Sequence, residues 1–183
     1  MNRVAPSSLS RAAFVETFAD IYEHSPWVAE RAYDLGPVCD LDDIETLHER
    51  MSRVLLNATP EQQLALINAH PDLAGKAAVR GELTQASTGE QAGAGIHLCT
   101  ADEFQRFNEL NQTYKGRFGF PFIMAVKGSD RHRILAAFET RIHNTPQAEF
   151  ACALAEINKI ALFRLQALQA DALISRQQGS QEE

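Results

Sequence analysis

Helix-start and helix-stop signals recur along this sequence so closely that little room is left for any other structure. Thr59-Pro60-Glu61-Gln62 and Thr100-Ala101-Asp102-Glu103 are both capping boxes. In such a box the threonine oxygen accepts from the backbone N–H three residues on, and the Glu or Gln side chain reaches back to the N–H of the cap. Ser25-Pro26 and Thr145-Pro146 pair a capping hydroxyl with a proline preset for the first helical position. Ser129 can cap a further helix through Ile134, Leu135, Phe138 and Ile142. Gly36-Pro37 and His70-Pro71 supply stops, because the residue before a proline is pushed away from helical angles.

The apolar residues between these signals follow the helical period. Phe14, Val15, Phe18, Ile21 and Tyr22 share a face, as do Ile44, Leu47, Met51, Val54 and Leu55, and Phe104, Phe107, Leu110 and Tyr114. The helix opened by Thr145-Pro146 is the longest, running to about Ala172, and the polar residues from Ser175 onward are expected to fray. Only Phe118 to Val126, short, apolar and bracketed by Gly116 and Gly128, resembles a strand, and one strand cannot make a sheet. The expectation is a compact single-domain, all-α bundle of about eight helices. Its domain covers 1–174, followed by a polar tail at 175–183.

Composition narrows the function. A formal charge of −7 with no Lys/Arg cluster argues against nucleic acid as a partner. No stretch approaches the roughly 18 consecutive apolar residues of a membrane span. Cys39, Cys99 and Cys152 are odd in number and far apart, which reads as free thiols in a reducing compartment. The N-terminal residues Met1 to Pro6 lack a signal peptide's apolar run, so the cytoplasm is the expected location. His97 and Cys99 have no second pair at metal-ligand spacing, and no metal site is expected.

Three places break the rules obeyed elsewhere. His70, directly before Pro71, projects from a helix end and carries an imidazole suited to proton transfer near neutrality. A histidine favoured by the helix dipole is the structural alternative. Ser87 and Glu90 are spaced as a capping box, which alone would explain both, yet a helix start also offers N–H donors to a carboxylate or ureido oxygen. Arg164 falls inside the apolar stripe formed by Phe150, Leu154, Ile157, Ala161 and Leu168 at about 100° per residue. A guanidinium there is costly unless an anion meets it, whether ligand or structural partner.

Six segments in order carry a resemblance to a known family. They are Ser25-Pro26-Trp27-Val28-Ala29-Glu30, His70-Pro71-Asp72-Leu73-Ala74-Gly75, Ser87-x-x-Glu90-Gln91-Ala92-Gly93, Leu110-Asn111-x-x-Tyr114, Phe118-Gly119-Phe120-Pro121-Phe122-Ile123, and Glu156-Ile157-x-Lys159-Ile160-Ala161-x-x-Arg164-Leu165. From about Phe14 to Leu168 the chain resembles the decarboxylases of 2-oxo-4-hydroxy-4-carboxy-5-ureidoimidazoline (OHCU), which produce S-allantoin during urate breakdown. The resemblance implies an all-α homodimer acting on a small molecule without metal or organic cofactor. It implies His70 and Glu90 as catalytic residues and Arg164 as a substrate-holding arginine. It also implies ligand contacts from Pro71, from the turn Ser87, Thr88, Gly89, Glu90 and Gln91, and from irregular backbone at Phe122, Ile123, Met124, Ala125 and Val126. Two other readings compete: a lyase or hydrolase on a related ureido or imidazole compound, and a non-catalytic helical interaction module.

Overall fold

The computed structural model of the protein describes residues 5–75 and 83–179. It is all-α: eight α-helices and three short 3-10 turns lie among the described residues, and no strand. The helices are α1 (Arg11–Phe18), α2 (Trp27–Asp34), α3 (Ile44–Leu56), α4 (Pro60–Ala69), α5 (Gln85–Gly93), α6 (Ala101–Phe118), α7 (Arg131–Arg141) and α8 (Pro146–Gly179). None of the described helices is long and apolar enough to cross a membrane. The chain packs as two compact units, residues 1–59 with 158–183, and residues 60–157.

The first unit holds α1 to α3 and the later part of α8. Ser10 caps α1 by accepting from Ala13 N, and Asp43 caps α3 by accepting from Thr46 N. The first apolar stripe does not continue as one α-helix; α1 ends at Phe18 and tightens into a 3-10 turn over Ala19–Ile21. Phe14, Phe18, Tyr22, Val28, Leu47, Met51 and Leu55 are all buried, with Phe14 and Phe18 rings 4.7 Å apart. Ser25, expected to cap α2, instead donates its hydroxyl to Glu23 O, and α2 starts without a side-chain cap. From α8, Asn158 accepts the Tyr22 hydroxyl at 2.8 Å, and its carbonyl lies 2.7 Å from His48 Nε2.

The second unit holds α4 to α7 and α8 as far as Ile157. The Thr100–Glu103 capping box forms in full and Gly119, at φ 79°, closes α6 in the left-handed region that favours glycine. Thr145 Oγ1 accepts from Ala148 N as α8 begins, and α8 runs on to Gly179, past the expected end near Ala172. Asp130, not Ser129, caps α7: its carboxylate accepts from both His132 N and Arg133 N. Ser129 Oγ is left buried with no hydrogen-bond partner. The core centres on Phe107, Tyr114, Phe122 and Phe138, where Phe122 and Phe138 stack at 3.7 Å and Tyr114 meets both edge-on.

Candidate active site

His70 stands just beyond the end of α4, as the following proline requires, and is 9% exposed. Its Nδ1 lies 3.0 Å from Leu66 O. A carbonyl oxygen can only accept, so Nδ1 carries a proton and Nε2 is the nitrogen whose protonation can change. The same backbone contact sets the ring's orientation one helical turn back from its own residue.

The next five residues form a tight turn gripped from two helices. Gln91 of α5 uses both ends of its amide, accepting from Ala74 N at 3.1 Å and donating to Asp72 O at 3.3 Å. From α6, Asn111 donates to Leu73 O at 2.9 Å and Lys115 pairs with Asp72 at 2.6 Å. That grip is needed because Ala74 is fully buried with φ 52°, a left-handed conformation that costs a residue with a Cβ about 1–2 kcal/mol. Gly75 has no room for a side chain: a Cβ there would lie 2.6 Å from Asp72 Cβ and 3.3 Å from Asp72 O. Gly75→Ala is therefore expected to cost about 1–3 kcal/mol, or roughly 2–10 °C in Tm for a chain of this size. Thermal melts read it directly, and an unchanged Tm would mean that the turn yields freely.

The start of α5 differs from the expectation. Thr84 is the cap, and its Oγ1 accepts the Ser87 N–H at 3.2 Å. The Ser87–Glu90 capping box does not form, because the helix begins earlier and Ser87 is already inside its first turn. Ser87, Glu90, Gln91 and Ala94 then fall within about 100° of one another around the helix. Ser87 and Gln91 are buried, Glu90 is half-buried, and Thr88 and Gly89 are exposed. So Gln91 holds the turn that follows His70, and Ser87 and Glu90 share its helix face.

Phe122 to Val126 is irregular backbone, not a strand. Side chains satisfy it in place of a ladder. Arg141 Nη1 donates to Ile123 O at 2.7 Å, and Ala125 N donates to Glu156 at 2.8 Å. Arg141 also lies over the Phe122 ring at 4.3 Å and pairs with Glu149 at 2.8 Å. Glu149 is completely buried and further accepts from Tyr114 Oη and from Asn144 Nδ2. Burial pushes the Glu149 carboxyl upward, but hydrogen bonds from Arg141, Tyr114 and Asn144 and the charge of Arg141 outweigh it, leaving the group below its ordinary value. Burial, and then the carboxylate it donates to, raise the Tyr114 hydroxyl well above the usual phenol range.

Arg164 lies in the first unit, inside the stripe as expected. It is 9% exposed, and its Nη1 meets Glu23 at 2.8 Å and Asp20 O at 3.4 Å. No group of His, Cys, Asp and Glu suited to a metal ion occurs among the described residues.

A model of the OHCU decarboxylase family matches residues 7–166. The chain belongs to the OHCU decarboxylase family. It is 44% identical to the 2-oxo-4-hydroxy-4-carboxy-5-ureidoimidazoline decarboxylase of Haloferax volcanii, over 84% of this chain and 87% of the relative. With the enzyme of the same name from Amia calva it shares 38% identity over 87% and 90% of the two chains. A crystal structure of (S)-allantoin synthase superposes with a TM-score of 0.72 at 32% identity; 89% of this chain is covered, but only 52% of that protein, so the chain spans about half its length. Within the OHCU decarboxylase family's matched range fall His70, Glu90, Arg164 and the residues that grip them. Sequence reasoning missed Glu23, Lys115, Arg141 and Glu149 as parts of this framework. Asn111 and Glu156 lay within the family's landmark segments, but without an assigned role.

Proposed function

We propose that this protein decarboxylates OHCU to S-allantoin in urate breakdown, with His70 moving the protons. The observation that carries this reading is the commitment of His70 Nδ1 to Leu66 O, in a chain matched to the OHCU decarboxylase family across residues 7–166. One imidazole nitrogen is held as a donor, so the other can exchange a proton with substrate.

In OHCU the departing carboxylate sits on a carbon that also bears a hydroxyl and adjoins a ring C=N bond. When the carbon–carboxylate bond breaks, its electron pair forms a double bond to the neighbouring carbon, and the imine pair moves onto nitrogen, which takes a proton. Carbon dioxide has by then departed; the resulting enol loses its hydroxyl proton while the ureido-bearing carbon gains one, giving the ring amide carbonyl and the stereocentre of allantoin. The imine is thus the electron sink, built into the substrate. His70 relays protons through Nε2, and Glu90 orients either the imidazole or the substrate hydroxyl. Arg164 offers its planar fork to substrate oxygens. Pro71, Ser87, Thr88, Gly89, Gln91 and the backbone from Phe122 to Val126 hold the ring and ureido group. The same reading takes the protein as a cytoplasmic homodimer, with residues 1–174 as its catalytic domain, working without metal or organic cofactor.

OHCU decays unaided, so the decisive readout is handedness. Adding the protein to urate oxidase and the hydrolase that follows it is expected to give a fast, single-signed circular dichroism signal. A slow racemic product matching the protein-free control would overturn the assignment, since only a chiral pocket sets the stereocentre.

A further inference from the structure

The turn between α1 and α2 bears two energetic costs at one place. Glu23 is 2% exposed, and its carboxylate meets Arg164, itself 9% exposed, at 2.8 Å. Removing two such charges from water is costly before their attraction is counted, and apolar residues of similar volume are often as stable or more so. The second cost is in the backbone. His24, exposed and not glycine, sits at φ 46°. That left-handed residue turns the chain so that Tyr22, Glu23 and Ser25 are all buried around it.

The turn is tied down on both sides of His24. Tyr22 Oη donates to Asn158 of α8 at 2.8 Å, Ser25 N donates to Tyr22 O at 3.0 Å, and Ser25 Oγ donates to Glu23 O at 2.9 Å. Asp20 O adds a contact to Arg164 Nη1 at 3.4 Å. Tyr22 thereby anchors the turn to the same helix that carries Arg164, less than two turns away along it. A guanidinium on a long, rotamer-rich stem is set in one orientation by a carboxylate that is itself fixed.

We propose that Glu23 is a positioning residue for the reaction, holding the Arg164 guanidinium in the orientation that receives substrate. This deepens the reading of Arg164 as a substrate-binding residue and rests on it. Glu23 acts on substrate binding through Arg164, so its removal should change KM only while the arginine is present.

The test is a kinetic cycle on the full chain with Glu23→Gln, Glu23→Asp, Arg164→Ala and the double variant Glu23→Gln/Arg164→Ala, using OHCU generated in situ. Arg164→Ala is expected to raise KM by about tenfold or more, and Glu23→Gln by about threefold to tenfold with kcat much less affected. Glu23→Asp, which keeps the charge on a shorter stem, should recover part of the loss. In the Arg164→Ala background Glu23→Gln should leave KM unchanged. A Glu23→Gln variant that lowers Tm but keeps native KM, beside an Arg164→Ala variant with raised KM, would leave Glu23 a structural partner only and overturn the proposal. So would equal KM effects of Glu23→Gln with and without the arginine. If Glu23→Gln does not fold, Glu23→Leu, an apolar replacement of similar volume that also removes the carboxylate, takes its place: a native KM in that folded variant, beside a raised one for Arg164→Ala, overturns the proposal. An unchanged KM in Arg164→Ala would instead sink the substrate-binding reading of the arginine, and this proposal with it.

Discussion

Replacing His70 with asparagine is expected to lower kcat by on the order of 10²–10⁴-fold, the usual contribution of a positioned acid–base group. The fold should survive. His70 loses one backbone hydrogen bond, from Nδ1 to Leu66 O, a loss of about 0.5–1.5 kcal/mol and a few degrees in Tm at this size. The turn beyond it keeps its ties to Gln91, Asn111 and Lys115. Stopped-flow circular dichroism on freshly generated OHCU, corrected for spontaneous decay, measures the rate, and a melt of the same sample measures the fold. A folded variant within about threefold of the native rate would remove His70 from the proton path.

The largest stability effect is expected at Glu149, a residue with no assigned part in the chemistry. Glu149→Gln leaves the Arg141 guanidinium, 13% exposed, with a neutral partner. Breaking a buried ion pair from one side costs about 3–5 kcal/mol, on the order of 10 °C in Tm here. The loss should depend on pH. Glu149 is held below its ordinary value in the folded chain, so its contribution is complete above the unfolded carboxyl value, near 4.3, and disappears as pH falls through the lower folded value. Native protein should therefore lose stability on acidification more steeply than the glutamine variant, the two curves converging at low pH. Parallel curves would show that the Glu149 charge does not carry the effect. Because Arg141 also holds Ile123 O, the same substitution loosens the Phe122 to Val126 backbone.

Where the sequence reading succeeded and where it failed follows from the range of each interaction. The Thr100–Glu103 box, the opening of α8 at Thr145-Pro146 and the stop at His70-Pro71 were legible because their partners lie within a few residues. Errors arose where two neighbours could do the same work. Asp130 took the cap expected of Ser129, since one carboxylate oxygen accepts from two N–H groups at once. Thr84 took the cap expected of Ser87, and that three-residue change of register moved Ser87 and Glu90 from the helix end to its face. The Phe118 to Val126 segment looked like a strand because it is apolar and short. No strand occurs among the described residues to pair with it, and Ile123 O and Ala125 N instead meet Arg141 and Glu156.

Sequence alone determined the all-α class, most helix boundaries, the family, and the three rule-breaking residues His70, Glu90 and Arg164. The class and the boundaries are consequences of backbone propensity, capping and apolar periodicity, which act locally and leave a pattern in consecutive residues; the family was legible through its resemblance over six ordered segments. Tertiary structure alone decided which partners those residues meet. Arg164 in an apolar stripe demanded an anion, but only folding chose Glu23, which lies more than a hundred residues earlier and is aimed inward by a left-handed turn at His24. Likewise the strained turn after His70 is held by Gln91, Asn111 and Lys115, brought from two other helices. Such pairings depend on how helix faces pack, and a buried polar group must be satisfied by whatever that packing brings within reach.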